Sequence, residues 1–364
     1  MADEQAIIDE EADEVLDGEI DETLLTKASD KNSSDKTDIV SRDSLKIMPN
    51  HQEIIFKDKF VERYSKLTDF ETFKKYSLSF LRRTIRVNTL KISVADLKKR
   101  LKENWKLTPV PWCKEGFWIE NIKDGRRDIG NLVEHSLGYI YIQEATSMIP
   151  PLALEPKKNE FVLDMCASPG SKTTQIAQYM KNTGLLVAND YKGMRLAPLG
   201  MNIQRMGITN TVITLTEGRH FIKFRESPIF DKVLVDAPCS GTGNIRRSVK
   251  TLLMWNPDMI KRLSGSQKQL LKTGFEILKE GGTLVYSTCT QEPEENEEVV
   301  DSLLKEYPNA KLQKIDAKKL KIKHGDAILK FEDKEYSSEI EKCLRIWPQD
   351  NDSEGFFVAK IKKE

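Results

Sequence analysis

From about residue 151 onward, short apolar runs alternate with amphipathic stretches, and this pattern narrows the possible folds more than any other property of the chain. Phe161-Val162-Leu163-Asp164-Met165 reads as a strand, a Gly/Pro turn follows, and Lys172 to Met180 has helical spacing. Leu185 to Asp190 repeats the strand pattern and Met194 to Met206 the helical one. Val212 to Leu215, Lys232 to Asp236 and Thr283 to Ser287 are three further strands, with Pro257 to Leu278 and Pro293 to Leu304 as helices. Each strand is an apolar run rather than an apolar/polar alternation, so both of its faces are to be covered, as in a parallel sheet between helical layers. Gly355 to Ile361 is expected to add an edge strand, completing an open, doubly wound α/β sheet over 151–364.

The preceding part, 46–150, is expected to be a small α+β unit. Ile54, Phe56, Phe60, Tyr64 and Leu67 recur at helical intervals, Thr84 to Thr89 alternates like a strand, and Val94 to Leu101 is amphipathic again. Trp112, Phe117, Trp118, Tyr139 and Tyr141 are assigned to its core, whereas Arg82, Arg83 and Arg86 are candidates for phosphate contact. Residues 1–45 hold 15 acidic against 4 basic residues and almost no aromatics, which leaves too little apolar surface to offset the entropy of ordering; they are expected to be a disordered tail. Of the 57 basic and 57 acidic residues in the chain, 53 basic and 42 acidic then remain in 46–364, a positive body suited to a polyanion.

Five cysteines, odd in number and without a C-x-x-C pair, point to reduced thiols in a cytoplasmic protein. No run approaches the roughly 18 apolar residues of a membrane span, and His51, His135, His220 and His324 lack metal-ligand spacing, so neither membrane nor metal is expected.

The loops after the strands carry the polar chemistry. Open α/β sheets bind ligands at the carboxyl ends of their strands. Cys239 lies in Asp236-Ala237-Pro238-Cys239-Ser240-Gly241-Thr242-Gly243 and Cys289 in Tyr286-Ser287-Thr288-Cys289-Thr290, each just past an apolar run, so both thiols can converge on one crevice. The first strand-turn-helix, Asp164-Met165-Cys166-Ala167-Ser168-Pro169-Gly170-Ser171-Lys172, sets small residues and a glycine at a helix amino terminus, where a carboxylate-bearing ligand can approach backbone. It is not a phosphate-binding P-loop, because Cys166 and Ser171 stand where that motif needs glycine. Asp190, closing the second strand, occupies the position that binds ribose hydroxyls in dinucleotide-type folds.

Taken together, Arg83 to Leu90, Asp164 to Lys172, Asp236 to Gly243, Ser287 to Thr290 and Asp352 to Phe357 resemble the NOL/NOP/Sun family of S-adenosylmethionine-dependent RNA cytosine-5 methyltransferases. The resemblance covers all but the acidic tail. It implies a Rossmann-like catalytic domain, preceded by an RRM-like domain that helps to hold RNA, either rRNA or tRNA; separately, the protein is expected to be a monomer. Carbon 5 of cytosine is not nucleophilic until a thiolate adds at carbon 6, and the resemblance makes Cys289 that nucleophile. Cys239 then assists loss of the carbon-5 proton or breakdown of the adduct, and Asp236 hydrogen-bonds the cytosine edge.

For S-adenosylmethionine, the resemblance carries Cys166, Ala167, Ser168, Pro169, Gly170, Ser171 and Lys172 to the methionine portion and Asp190 to the ribose. Arg195 and Glu217 go to the nucleoside region, with Asp236 near the methyl-transfer point. Cys166 is expected to contribute backbone, and Cys113 and Cys343 to be structural. Ser168 and Ser171 replace the family's usual alanine and glycine, Glu217 is one methylene longer than the usual aspartate, and Ser353-Glu354 precedes Gly355-Phe356-Phe357 where Asp is common. No appended RNA-binding domain is expected after residue 364. Arg246 and Arg247 are candidates to clamp the target strand, and the target base itself must be unstacked or flipped out. The alternative is an RNA-binding ribosome-assembly factor in which methylation is secondary.

Overall fold

A computed structural model describes residues 45–123 and 128–364. Apart from Leu45, the expected acidic tail lies outside the described residues.

The first helices, α1 (Asp58–Ser65) and α2 (Phe70–Ser77), precede a four-stranded antiparallel sheet. That sheet comprises β1 (Thr84–Val87), β2 (Trp105–Pro109), β3 (Gly116–Asn121) and β4 (Ile140–Ile142) in the order β2-β3-β1-β4, with α3 (Val94–Leu101) between β1 and β2. Ser93 caps α3 by accepting from the Asp96 N–H, and Leu97 and Leu101 turn inward to join Ile85, Val87, Trp105, Phe117 and Ile119 in one core. Of the aromatics assigned to the core, Trp112, Phe117, Trp118 and Tyr141 are buried and Tyr139 is partly so.

The pair α1 and α2 belongs to a different core. Phe56, Phe60, Tyr64, Phe70 and Phe73 pack with Ile245, Leu252, Trp255 and Trp347, all of which follow residue 240, so the N-terminal helices brace the loops of the large sheet. Phe60 and Tyr64 stack at 4.0 Å, and Trp255 meets Phe60 edge-on at 5.1 Å.

The large sheet begins after α4 (Ile149–Leu154) with β5 (Phe161–Asp164), followed by α5 (Ser171–Met180), β6 (Leu185–Asp190), α6 (Gly193–Met206), β7 (Thr211–Leu215) and β8 (Phe230–Asp236). Next come α7 (Pro257–Glu276), β9 (Leu278–Thr288), α8 (Glu297–Glu306), β10 (Ala310–Gln313) and a small hairpin, β11 (Lys330–Phe331) with β12 (Lys334–Glu335). β13 (Leu344–Ile346), α9 (Pro348–Asn351) and β14 (Phe356–Lys363) complete it. The strand order is β10-β14-β9-β8-β5-β6-β7, and β5 to β9 run parallel.

Successive residues of a strand point to opposite faces, and two cores result. Val162, Leu186, Ala188, Leu234 and Val285 meet α4, α5 and α6, whereas Leu163, Val187, Val233, Val235, Leu284 and Tyr286 meet α7 and α8. The apolar runs therefore arise from burial on both sides.

Three expectations change. β14 is not an edge strand; it lies antiparallel between β9 and β10, because Ala310 and Leu312 alternate with polar residues and give β10 a buried face of its own. β7 is covered incompletely, with Val212 and Leu215 exposed. The helix expected from Pro293 starts only at Glu297, because Glu292 and Glu295 are turned inward as hydrogen-bond acceptors.

Arg86 and Arg246 also depart from expectation. Arg86 is fully buried, with Nη1 donating to the Ser171 carbonyl and Nη2 to Thr174 Oγ1, both at 2.8 Å, so it fastens β1 to the first turn of α5. Arg246 is 3% exposed and donates to the carbonyls of Ser79, Phe80 and Ser353 and to Asp352 Oδ1. Both guanidiniums are buried against internal acceptors, so neither is placed to grip a strand. Arg82 stands over the Trp118 ring at 3.7 Å, and Arg247 is exposed.

A buried ion pair holds the segment after β9. Arg345 donates to Glu297 Oε1 at 2.8 Å and Oε2 at 2.5 Å, and to the Gln291 carbonyl at 2.9 Å, with both charged side chains fully enclosed. Arg345→Met leaves Glu297 buried without its cation and is expected to cost about 3–5 kcal/mol, read as a lower denaturant midpoint.

Among the described residues no helix is long and apolar enough to cross a membrane.

Candidate active site

Because β5, β8 and β9 are adjacent and parallel, their carboxyl ends open on one side of the sheet. Asp236 ends β8 opposite Ser287 of β9, and the register is extended by the Ala237 N–H donating to the Ser287 carbonyl at 3.0 Å. The Asp236 carboxylate is held on both oxygens: Ser287 Oγ donates to Oδ1 and Lys172 Nζ to Oδ2, each at 2.6 Å. Burial works against the Lys172 ammonium, but the facing Asp236 carboxylate outweighs it and holds the lysine above its ordinary pKa.

The chain then brings the two thiols together. Cys289 lies two positions beyond Ser287 and Cys239 three beyond Asp236, and their sulfurs are 3.2 Å apart. Cys239 is 5% exposed while Cys289 is less enclosed. The hydrogen bond with Cys289, together with burial, raises the Cys239 thiol well above the ordinary cysteine value. Glycines make the approach possible. Gly241 adopts φ 68°, and a Cβ on Gly243 would lie 2.6 Å from the Cys289 carbonyl and 2.4 Å from that of Gly355. Instead the Gly243 N–H donates to the Cys289 carbonyl at 2.9 Å.

Behind the thiols, hydroxyls lock the two loops to each other. Thr290 Oγ1 is 2.7 Å from Ser240 Oγ and 2.9 Å from Thr242 Oγ1, and the Glu295 carboxylate accepts from the Ser240 N–H at 2.9 Å and from Gln267 Nε2 at 2.8 Å. Neighbours two positions apart on a strand share a face, which was the available signal for Ser287; nothing in sequence pointed to Glu295 or Thr290.

The first loop lies alongside. Gly170, at φ 103°, precedes α5 and leads into Ser171 and Lys172, and a Cβ there would press within 3.1 Å of Leu199 Cδ1. Asp190 accepts from the N–H groups of Ser168 and Lys192 at 3.2 Å and is 3.6 Å from Arg195 Nε, while Arg195 Nη2 donates to the Ser168 carbonyl at 3.0 Å. The strand-end acid thus fixes the loop from inside. Glu217 is about half exposed and pairs with Arg219 at 2.5 Å. Cys166 and Ala167 line the loop beneath, and burial raises the Cys166 thiol well above its usual value.

Asp164, not singled out in sequence, is the notable member of this loop. It is 1% exposed, Oδ2 accepts from Thr173 Oγ1 at 2.7 Å, and Oδ1 is sealed without a partner. Burial pushes its pKa up to about 7. An orphaned carboxylate oxygen beside an open glycine turn fits a ligand that carries an ammonium group together with a carboxylate, as an amino-acid end does.

Burial likewise pushes Glu295 and Glu354 up to about 8. All three carboxyls bind protons more tightly folded than unfolded, so stability is full below their ordinary values near 4 and is lost as pH rises through about 7 to 8. His135, held low by burial and by Arg205, acts in the opposite sense. In the absence of ligands the denaturant midpoint is therefore expected to fall between about pH 5 and pH 8, and Glu295→Gln to flatten that fall.

Residues 151–362 match the family described as 16S rRNA methyltransferase RsmB/F, and residues 56–145 match the N-terminal domain of 16S rRNA methyltransferase RsmF. The chain is 47% identical over 306 residues to the tRNA (cytosine(49)-C(5))-methyltransferase of Pyrococcus abyssi, an alignment covering 84% of this chain and 96% of that one. It is 45% identical to the ribosomal RNA small subunit methyltransferase F of Shewanella piezotolerans over 80% of this chain, but spans only 60% of that relative's length. Among solved structures, a methyltransferase homolog protein from Pyrococcus horikoshii superposes with a TM-score of 0.75 at 38% identity, covering 87% of this chain and all of that one. NSun6 from Pyrococcus horikoshii, solved with SFG, superposes with a TM-score of 0.71 at 25% identity, covering 85% of this chain and 99% of that one. With both its small sheet and its large sheet matched, and its two cysteine loops facing each other across one cleft, the chain belongs to the NOL/NOP/Sun family of RNA cytosine-5 methyltransferases, in the RsmB/F group.

Proposed function

We propose that the protein transfers a methyl group from S-adenosylmethionine to carbon 5 of a cytosine in RNA, tRNA or rRNA, through a transient bond between Cys289 and the base. The observation that carries this reading is the pair of sulfurs 3.2 Å apart beside a carboxylate fixed by lysine and serine. S-adenosylmethionine, when bound, supplies an electrophilic methyl group. The loop from Cys166 to Lys172 would receive its methionine end, with the Asp164 oxygen opposite the ammonium, and the Asp190 and Glu217 region would receive the nucleoside.

The chain's own residues then divide the work. The Cys289 thiolate forms a bond to carbon 6, and the electron pair of the 5,6 double bond moves to carbon 5, which becomes nucleophilic. Asp236 hydrogen-bonds the base edge and favours a proton at ring nitrogen 3 while the adduct exists. Once the methyl group has passed to carbon 5, the carbon-5 proton goes to a base beside the adduct, its electron pair re-forms the 5,6 double bond, and the carbon-sulfur bond breaks to return the Cys289 thiolate as nitrogen 3 loses its proton; Cys239, in contact with Cys289, serves this last stage. The excess of basic residues in 46–364 supports phosphate contact, and binding is expected to weaken with added salt.

Incubation with labelled S-adenosylmethionine and unmodified transcripts of tRNA and small-subunit rRNA tests the reading. Label is expected in 5-methylcytidine after nuclease digestion. Label appearing only in another nucleoside, or in none, overturns it.

A further inference from the structure

Glu354 is 4% exposed, and its Oε1 is sealed from solvent with no hydrogen-bond partner. The residue's hydrogen bonds run through its backbone instead: the N–H donates to Glu144 Oε1 at 3.2 Å and the carbonyl accepts from Ser353 Oγ at 3.1 Å. The Glu144 carboxyl faces the backbone instead, Oε2 accepting from the N–H groups of Thr146 and Ser147 and Oε1 from that of Glu354, and no hydrogen bond joins it to the Glu354 side chain. A carboxyl removed from water and left without a donor is costly, and proteins keep such groups where a ligand completes them.

Its place in the fold says which ligand. The Gly355 N–H donates to the Gly243 carbonyl at 2.9 Å, and the Gly243 N–H donates to the Cys289 carbonyl at 2.9 Å, so the segment that carries Glu354 is laced directly onto both cysteine loops. On its far side the Phe356 ring lies 5.4 Å from Lys172 Nζ. The charged groups whose fields reach the Glu354 carboxyl are Glu144, Arg247, Lys172 and Arg246. Asp236 already accepts from Lys172 and Ser287, one on each oxygen. With a lone pair left on each oxygen, Asp236 can serve ring nitrogen 3, and a second acceptor suits a base that also presents an amino group.

We propose that Glu354 accepts a hydrogen bond from the 4-amino group of the target cytosine and thereby separates cytosine from uracil. This inference rests on the reading of the cleft as a cytosine-5 methyltransferase site. Uracil presents a carbonyl at the same position, which sets lone pair against lone pair when Glu354 is ionised, so the preference for cytosine is expected to be largest above about pH 8. A site built to receive a donor rejects the analogue that lacks it far more strongly than shape alone can.

The probes are tRNA and small-subunit rRNA transcripts made with 5-fluorocytidine or with 5-fluorouridine. Fluorine at carbon 5 cannot be lost as a proton is, so the covalent adduct persists. Initial rates of adduct formation are measured with S-adenosylmethionine for the wild-type protein, Glu354→Gln and Glu354→Leu. The wild type is expected to favour the cytidine transcript by about 100-fold or more. In Glu354→Gln, which keeps the shape and offers an amide donor to the uracil carbonyl, the ratio is expected to fall at least about tenfold, and in Glu354→Leu to approach unity. An unchanged ratio in Glu354→Gln overturns the inference, because that variant replaces one carboxyl oxygen with an amide donor and preserves the volume. Wild-type protein that forms no adduct with either transcript overturns the function reading, and this inference with it; a normal wild-type adduct with an unchanged variant ratio overturns this inference alone.

Discussion

Cys289→Ala is expected to abolish methyl transfer, with a loss on the order of 10⁴-fold or more, as removal of a covalent nucleophile does elsewhere. The alanine methyl group offers no substitute: without a thiolate at carbon 6 the 5,6 double bond stays conjugated with the ring and carbon 5 has no electron pair to donate. The variant should keep its fold, because Cys289 is only partly buried and its backbone contributions survive, the carbonyl still accepting from the Gly243 N–H. Affinity for S-adenosylmethionine should also survive, since the loop from Cys166 to Lys172 is organised by Asp190, Arg195 and Arg86 rather than by this thiol. The check is a turnover assay beside a calorimetric titration with the methyl donor. Retained turnover, or lost cofactor binding, would contradict the assigned role.

Cys239→Ala should fail in the opposite way. The first bond to the base needs only Cys289, so the variant is expected to reach the adduct and stop, accumulating roughly one RNA per protein on a denaturing gel. The contrast follows from the geometry. Cys239 is the more enclosed thiol, raised above the ordinary value by its hydrogen bond to Cys289 and by burial, so it is suited to hold or pass a proton rather than to attack. An alanine leaves a small void and no unpaired donor, because the neighbouring Ser240 N–H keeps its bond to Glu295. Cys239→Ala protein that turns over at the wild-type rate without a trapped species would remove Cys239 from the reaction.

Much of this was legible in the chain because it was local. An apolar run reports burial on two faces, so β5, β6, β8 and β9 could be read directly, and the strand-end loops placed Asp236, Cys239 and Cys289 on one side of the sheet. What sequence could not supply was the partner of a charge. Arg86 and Arg246 read as phosphate clamps because a guanidinium is usually exposed, yet carbonyls and hydroxyls from distant segments enclose both. The same limit hid Asp164, Glu295 and Glu354: each is an ordinary acidic residue until the fold strips its water away. The order of strands beyond β9 was equally non-local. β14 inserts between β9 and β10, so the last strand of the chain is interior while one formed some fifty residues earlier takes the edge. The N-terminal helices gave a correct helical period but not their destination, since the aromatic core that receives them is assembled from residues after 240.

The most direct test of the central claim is to find which sulfur carries the base. Cys239→Ala protein is incubated with S-adenosylmethionine and the tRNA and rRNA transcripts, digested with nuclease and protease, and the nucleotide-bearing peptide is identified by mass spectrometry. A methylated cytidine nucleotide on the peptide containing Cys289 is the predicted result. A nucleotide on any other residue, or continued formation of 5-methylcytidine by Cys289→Ala protein, would contradict it.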